Sequence, residues 1–188
     1  MSNQQVRKFT VVSVLGAISF ALMIFPQFSF IPGANFLKID FSIVPAVLAL
    51  AWLGLSGAVW VLALRTLLKI ILFNEGVNTY LGLPVNLAVS LIFILILAAF
   101  KTEKGGWLRA VLPALSATAA MTVVALLVNY FVAVPLYADF ANFDIKKFIG
   151  LKAYLWGMVL PFNLVEGLLW SLVSYFVVLL LKPFKQIF

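Results

Sequence analysis

Glu166 lies three residues after Asn163 inside residues 153–181, the longest apolar stretch of the chain. An acidic group at the centre of a membrane helix costs about 2.5 to 3.5 kcal/mol, so it needs something polar to meet. A spacing of three puts Asn163 and Glu166 on one helix face. An amide beside a carboxylate can accept and donate hydrogen bonds to one ligand. The plainer reading is a protonated Glu166, or one paired with a basic residue of another helix. Asn86 and Asn129 pose the same question in two other apolar stretches, and Asp40, Asn78 and Thr79 stand where further stretches begin.

These groups do not compose a catalytic set. The chain has no Cys and no His, which excludes thiol nucleophiles, disulfides, His-based triads and zinc sites with nitrogen or sulfur ligands. It has no G-x-x-x-x-G-K-[ST] phosphate loop and is not expected to hydrolyse ATP. Membrane proteases and phosphotransferases need clustered carboxylates, a metal or an activated nucleophile, and only Glu166 lies deep. The residues point to binding without an enzyme activity, a metal or a cofactor.

The elements that position them are membrane helices. The chain has 188 residues, 65% of them hydrophobic and 10% charged, with a mean hydropathy of +1.17. Soluble domains carry about 25% charged residues. The run after Arg7 and Lys8 is too long for a signal peptide, and no small-x-small cleavage site ends it. The pattern predicts an all-α integral membrane protein, residues 1–188 forming a single six-helix domain, with spans at about 9–25, 40–53, 58–73, 81–100, 107–132 and 153–181. The second and third are short enough to form a re-entrant hairpin instead.

An even number of spans puts both termini on one side. That side holds Arg7, Lys8, Lys101, Lys104, Arg109, Lys182 and Lys185 against the acid Glu103. The other holds Lys38, Lys146, Lys147 and Lys152, balanced by Asp40, Glu75, Asp139 and Asp144. Basic short loops mark the cytoplasm, so both termini are expected to be cytoplasmic. The net charge of +7 is then a topology signal and not a nucleic-acid footprint.

Helical rise gives the depths. Counted from Lys182, Glu166 lies roughly 24 Å and Asn163 roughly 28 Å up; Asn129 lies roughly 30 Å above Arg109, and Asn86 roughly 22 Å above Lys101. With Asp40, Asn78 and Thr79 at the outer edge, these residues converge on the outer third of the bilayer. That suggests a pocket open to the outside.

Leu83-Pro84-Val85-Asn86-Leu87 and Leu160-Pro161-Phe162-Asn163-Leu164 share an L-P-x-N-L pattern. A helical proline frees the carbonyl four residues earlier, which in a membrane needs another partner; two tolerated kinks explain the pattern as well as a binding device does. Tyr130, Tyr154 and Trp156 suit an interfacial belt or the flanks of a flat ligand. Arg65 and Lys69, four apart on one face, are expected to form structural ion pairs with buried acids, or to snorkel, Lys69 reaching toward Glu75 and Asp40.

The loop running from Ile31 through Pro32-Gly33-Ala34-Asn35-Phe36-Leu37-Lys38-Ile39-Asp40-Phe41-Ser42-Ile43-Val44 to Pro45 resembles the first outer loop of riboflavin-binding S components of energy-coupling-factor (ECF) vitamin transporters. It differs from the form F-K-I-D-F-S-D-I-P by Leu37 before the Lys and Ile43 in place of the second Asp. Ala17-Ile18-Ser19-Phe20-Ala21 is similar to the A-x-x-x-A motif by which such components dock on a shared transmembrane coupling subunit. The resemblance implies a bacterial plasma-membrane protein that captures riboflavin and works with that subunit and two cytoplasmic ATPases, Ala17 and Ala21 being the docking residues. The converging residues Asn78, Thr79, Asn86, Asn129, Asn163 and Glu166 are then the expected ligand contacts, with Asn35, Lys38 and Asp40 closing from the first loop. An S component for another vitamin, or a structural membrane protein whose polar groups glue helices together, would use many of the same residue types. Thiamine would want more acids near the site, and an anionic vitamin an unpaired Arg or Lys.

Overall fold

The computed structural model describes residues 3–100 and 107–187. Lys101, Glu103 and Lys104, which entered the topology count, lie outside the described residues, as do the side chains of Arg109 and Lys185. The elements in order are α1 (Asn3–Ile24), α2 (Ile43–Leu53), α3 (Leu55–Leu72), α4 (Val77–Ala99), α5 (Trp107–Val128), α6 (Val134–Phe140), α7 (Ile145–Phe148) and α8 (Leu160–Leu181). Two wide π-helical segments interrupt the series: Asn129–Ala133 joins α5 to α6, and Ala153–Val159 leads into α8.

Among the described residues, five helical stretches are long and apolar enough to cross a bilayer: Asn3–Ile24, Leu55–Leu72, Val77–Ala99, Ala110–Phe140 and Ala153–Phe184. The second expected span, residues 40–53, is shorter than the hydropathy suggested. Its helix starts at Ile43, because Asp40 Oδ1 takes the Ser42 amide hydrogen 2.8 Å away and holds residues 40–42 in a turn. The eleven residues of α2 extend only about 16 Å in a core about 30 Å thick. Yet α2 lies deep in the protein. Every residue from Ile43 to Ala49 is buried, and α1, α3, α4 and α8 all pack against it. Its hydrophobicity serves the protein core more than the lipid.

Gly54 alone separates α2 from α3, at φ 81° and ψ −172°, a conformation that is essentially open to glycine only. The chain can therefore reverse there within one residue. The fifth expected span runs on past Val132. Each wide turn ends just before a proline: the Val134 amide donates to the Asn129 carbonyl ahead of Pro135, and Leu160 donates to Leu155 ahead of Pro161. A proline ring collides with the carbonyl four residues back in a regular helix, and a bond reaching five residues back moves that carbonyl away. Helix thus continues through Phe140 instead of stopping at the proline. The two L-P-x-N-L copies consequently differ: Pro161 stands at a π-to-α junction, whereas Pro84 lies inside α4.

Candidate ligand-binding site

A cavity of about 650 Å³ opens at the end of the bundle remote from both termini. Its wall is formed by the C-terminal end of α1, the loop before α2, the first half of α4, the two wide turns and the start of α8. The size falls within the roughly 300–1,000 Å³ common for small-molecule pockets. Asn35, Lys38, Asp40, Asn78, Thr79, Asn86, Asn129, Asn163 and Glu166 all line it. Residues spread over more than a hundred positions of sequence are thereby brought to one space.

They differ in how free they are. Asn35, Lys38 and Asn78 are exposed at the rim, and Asp40, Thr79, Asn129, Asn163 and Glu166 are buried in the wall. Asp40 is held twice, by the Ser42 amide through its carboxylate and by Trp170, whose Nε1 donates to the Asp40 carbonyl oxygen at 2.8 Å. Thr79 Oγ1 accepts from the Glu75 amide at 2.8 Å. Asn163 Nδ2 donates to the Val159 carbonyl at 2.8 Å, which leaves its Oδ1 unspent. Glu166 is only 4% exposed and makes no hydrogen bond or ion pair within 4.0 Å to another described residue. The ion pair offered as one of its plainer explanations is therefore not formed, which leaves the protonated acid as the other.

The two basic residues of α3 part company. Lys69 pairs with Glu75 at 3.2 Å and lies 4.3 Å from the centre of the Phe73 ring, as expected. Arg65 is fully buried, and neutral oxygens instead of a close acid meet its two terminal nitrogens: Ser42 Oγ, Asn86 Oδ1 at 2.8 Å and Ser90 Oγ at 2.7 Å, while Nε has no partner among the described residues. A guanidinium needs acceptors, and these need carry no charge.

The three aromatic rings divide between the two places expected of them, Tyr154 taking the cavity. Tyr130 and Trp156 are exposed at 46% and 60%, as belt rings should be, but Tyr154 is 3% exposed. Its hydroxyl donates to Asn129 Oδ1 at 2.6 Å, while Asn129 Nδ2 donates to the Ala125 carbonyl at 2.8 Å. One wide turn thus steadies the polar side chain of the other. Lys69, Glu75, Tyr154 and the rings of Phe36, Phe143 and Phe162 line the cavity too; hydropathy marks only the two charged ones. Phe36 lies 6.2 Å, ring centre to ring centre, from Tyr154.

Among the described residues, three carboxylates (Asp40, Glu75, Glu166) and two ammonium groups (Lys38, Lys69) line the cavity, with Arg65 just behind the wall. This mixture of apolar rings with polar groups of both signs suits a ligand with an apolar ring and polar edges. On α1, Leu15, Gly16, Ser19 and Met23 face inward, whereas Ala17 and Ala21 are exposed on the outer face.

A family model described as the substrate-specific component of ECF transporters matches residues 7–178. The chain is 54% identical over 187 residues to a protein of Leuconostoc mesenteroides named riboflavin transporter RibU, covering 98% of this chain and 95% of that one. It is 43% identical over 181 residues to the riboflavin transporter RibU of Streptococcus thermophilus, covering 96% and 84%. A solved structure described as the S component of a bacterial ECF transporter superposes with a TM-score of 0.75 at 26% identity, covering 96% of this chain and 98% of that one. The chain belongs to the ECF transporter substrate-specific components; it is a membrane transport protein and not an enzyme.

Proposed function

We propose that this substrate-specific component captures riboflavin from outside a bacterial cell and delivers it through the plasma membrane with an ATP-driven partner. In this reading residues 1–188 form one membrane domain of six spans, α2 being a short span shielded by its neighbours, with both termini in the cytoplasm. The cavity then opens outward. The observation that carries the reading is the 650 Å³ cavity with its mixture of groups, in a chain 54% identical to a named riboflavin transporter along almost its whole length.

Riboflavin has an apolar dimethylbenzene end, an imide edge that mixes carbonyls with an N–H, and a hydroxylated ribityl tail. Asn129, Asn163 and Glu166 supply amide and carboxylate groups for the polar edges, with Asn78, Thr79 and Asn86 on the facing wall. Asn35, Lys38 and Asp40 close the site from the loop before α2. The apolar end meets Phe36, Phe162 and the aliphatic residues between them. The chain supplies no motor, and the partner is a transmembrane coupling subunit with two cytoplasmic ATPases; Ala17 and Ala21 meet that subunit. Small residues let two helix backbones approach closely in lipid.

The visible spectrum of protein purified from cells grown with the vitamin tests the reading. Flavin absorbance should co-elute with the protein at up to one equivalent and return when riboflavin is added to stripped protein. Stripped protein that regains no flavin would favour a substrate-specific component for another vitamin.

A further inference from the structure

We infer that Arg65 is a positioning residue for ligand specificity: it locks the Asn86 amide so that Asn86 can only donate to the ligand. The inference rests on the riboflavin reading of the same cavity. Arg65 does not line the cavity; it is fully buried behind the wall. Its Nη2 spends one hydrogen on Asn86 Oδ1 at 2.8 Å and the other on Ser90 Oγ at 2.7 Å, one turn further along α4. Nη1 donates to Ser42 Oγ at the start of α2. The planar group therefore bridges two helices in a fixed orientation.

The chemistry settles which end of the amide faces which way. Arginine has donors and no acceptor, so only the oxygen of Asn86 can face it. The Asn86 Nδ2 makes no hydrogen bond to a described residue, and Asn86 is half-buried in the cavity wall. What it offers a ligand is an N–H. Asn129 and Asn163 are turned the opposite way, because each spends Nδ2 on the carbonyl of its own helix four residues back. The site thus has a built-in polarity. Opposite Asn86 the ligand must present an acceptor, which for a flavin is one of its ring carbonyls. A lone asparagine facing a cavity could turn over to accommodate either polarity, and Arg65 removes that freedom.

The test compares riboflavin with its 2-thio and 4-thio analogues, since a thiocarbonyl sulfur accepts hydrogen bonds poorly. Equilibrium binding is measured for wild type, Asn86→Asp and Arg65→Lys, with elution profiles to follow folding. Asn86→Asp keeps an oxygen for Arg65 and turns the group facing the ligand into an acceptor. It should weaken riboflavin roughly tenfold or more. On wild type one thio analogue should bind several-fold more weakly than riboflavin, and that difference should shrink in Asn86→Asp. Arg65→Lys replaces the fork with a point charge and should also shrink it, although residue 65 does not line the cavity. Two results overturn the inference: riboflavin affinity unchanged in folded Asn86→Asp, or both thio analogues equal to riboflavin on wild type. The second comparison needs no variant, so it decides the matter even where Asn86→Asp folds poorly. Wild type that binds no riboflavin at all would defeat the vitamin reading, and this inference with it.

Discussion

Tyr154 and Asn129 sit in different wide turns, and one hydroxyl ties them at 2.6 Å. Removing that hydroxyl leaves Asn129 with only the Ala125 carbonyl as its partner. A neutral hydrogen bond contributes about 0.5 to 1.5 kcal/mol, so Tyr154→Phe should weaken riboflavin binding about two- to tenfold, measured by isothermal titration. Unchanged affinity would mean that Asn129 needs no such support. The polar wall was legible at this scale because its residues are out of place: an Asn or Glu in an apolar run is costly enough to imply a purpose. Tyr154 was legible only as one of two alternatives, since aromatic rings suit lipid headgroups and protein interiors equally and depth alone does not say which way a ring turns. Arg65 was half legible. Its burial follows from its position in α3, but an acid was the expected partner where serine hydroxyls and an asparagine oxygen meet the terminal nitrogens.

Among the elements, α1 makes the sharpest distinction between two faces. Its inner face packs so closely that a Cβ added at Gly16 would come within 2.5 Å of Leu64, while Ala17 and Ala21 lie on the exposed face one turn apart. Large rings at these two positions should hold a partner helix away without reaching the cavity. Ala17→Trp with Ala21→Trp should abolish riboflavin uptake by cells and leave binding by the purified protein intact; normal uptake would remove the docking role. The helices α1, α3 and α4 were readable from hydropathy because lipid-facing helices need long apolar runs. The shortness of α2 was not, because the turn that delays its start depends on one carboxylate catching one amide. Nor was the continuation of helix to Phe140, since Pro135 reads as a stop unless the backbone widens before it.

For the whole molecule, charge asymmetry and the placement of the cavity make one joint prediction. If the basic end is cytoplasmic, residues near α7 face outward. The chain has no native cysteine, so single thiols report cleanly. In intact cells an impermeant thiol reagent should label Lys146→Cys, at an exposed position, and spare Gln4→Cys near the N-terminus; the reverse pattern would invert the topology. The central claim is that the cavity holds riboflavin against Glu166. With Glu166 ionised and touching the vitamin, loss of a hydrogen bond to a charged group is worth about 1.5 to 3 kcal/mol, so Glu166→Gln should weaken binding roughly ten- to a hundredfold. Its folded yield should hold, because Glu166 has no ion-pair partner within 4.0 Å among the described residues. Quenching of riboflavin fluorescence, titrated against wild type and Glu166→Gln, measures this most directly. Wild type should saturate at one vitamin per chain, and the variant should show a clearly raised dissociation constant. No saturable quenching by wild type, or equal constants for the two proteins, would contradict the central claim.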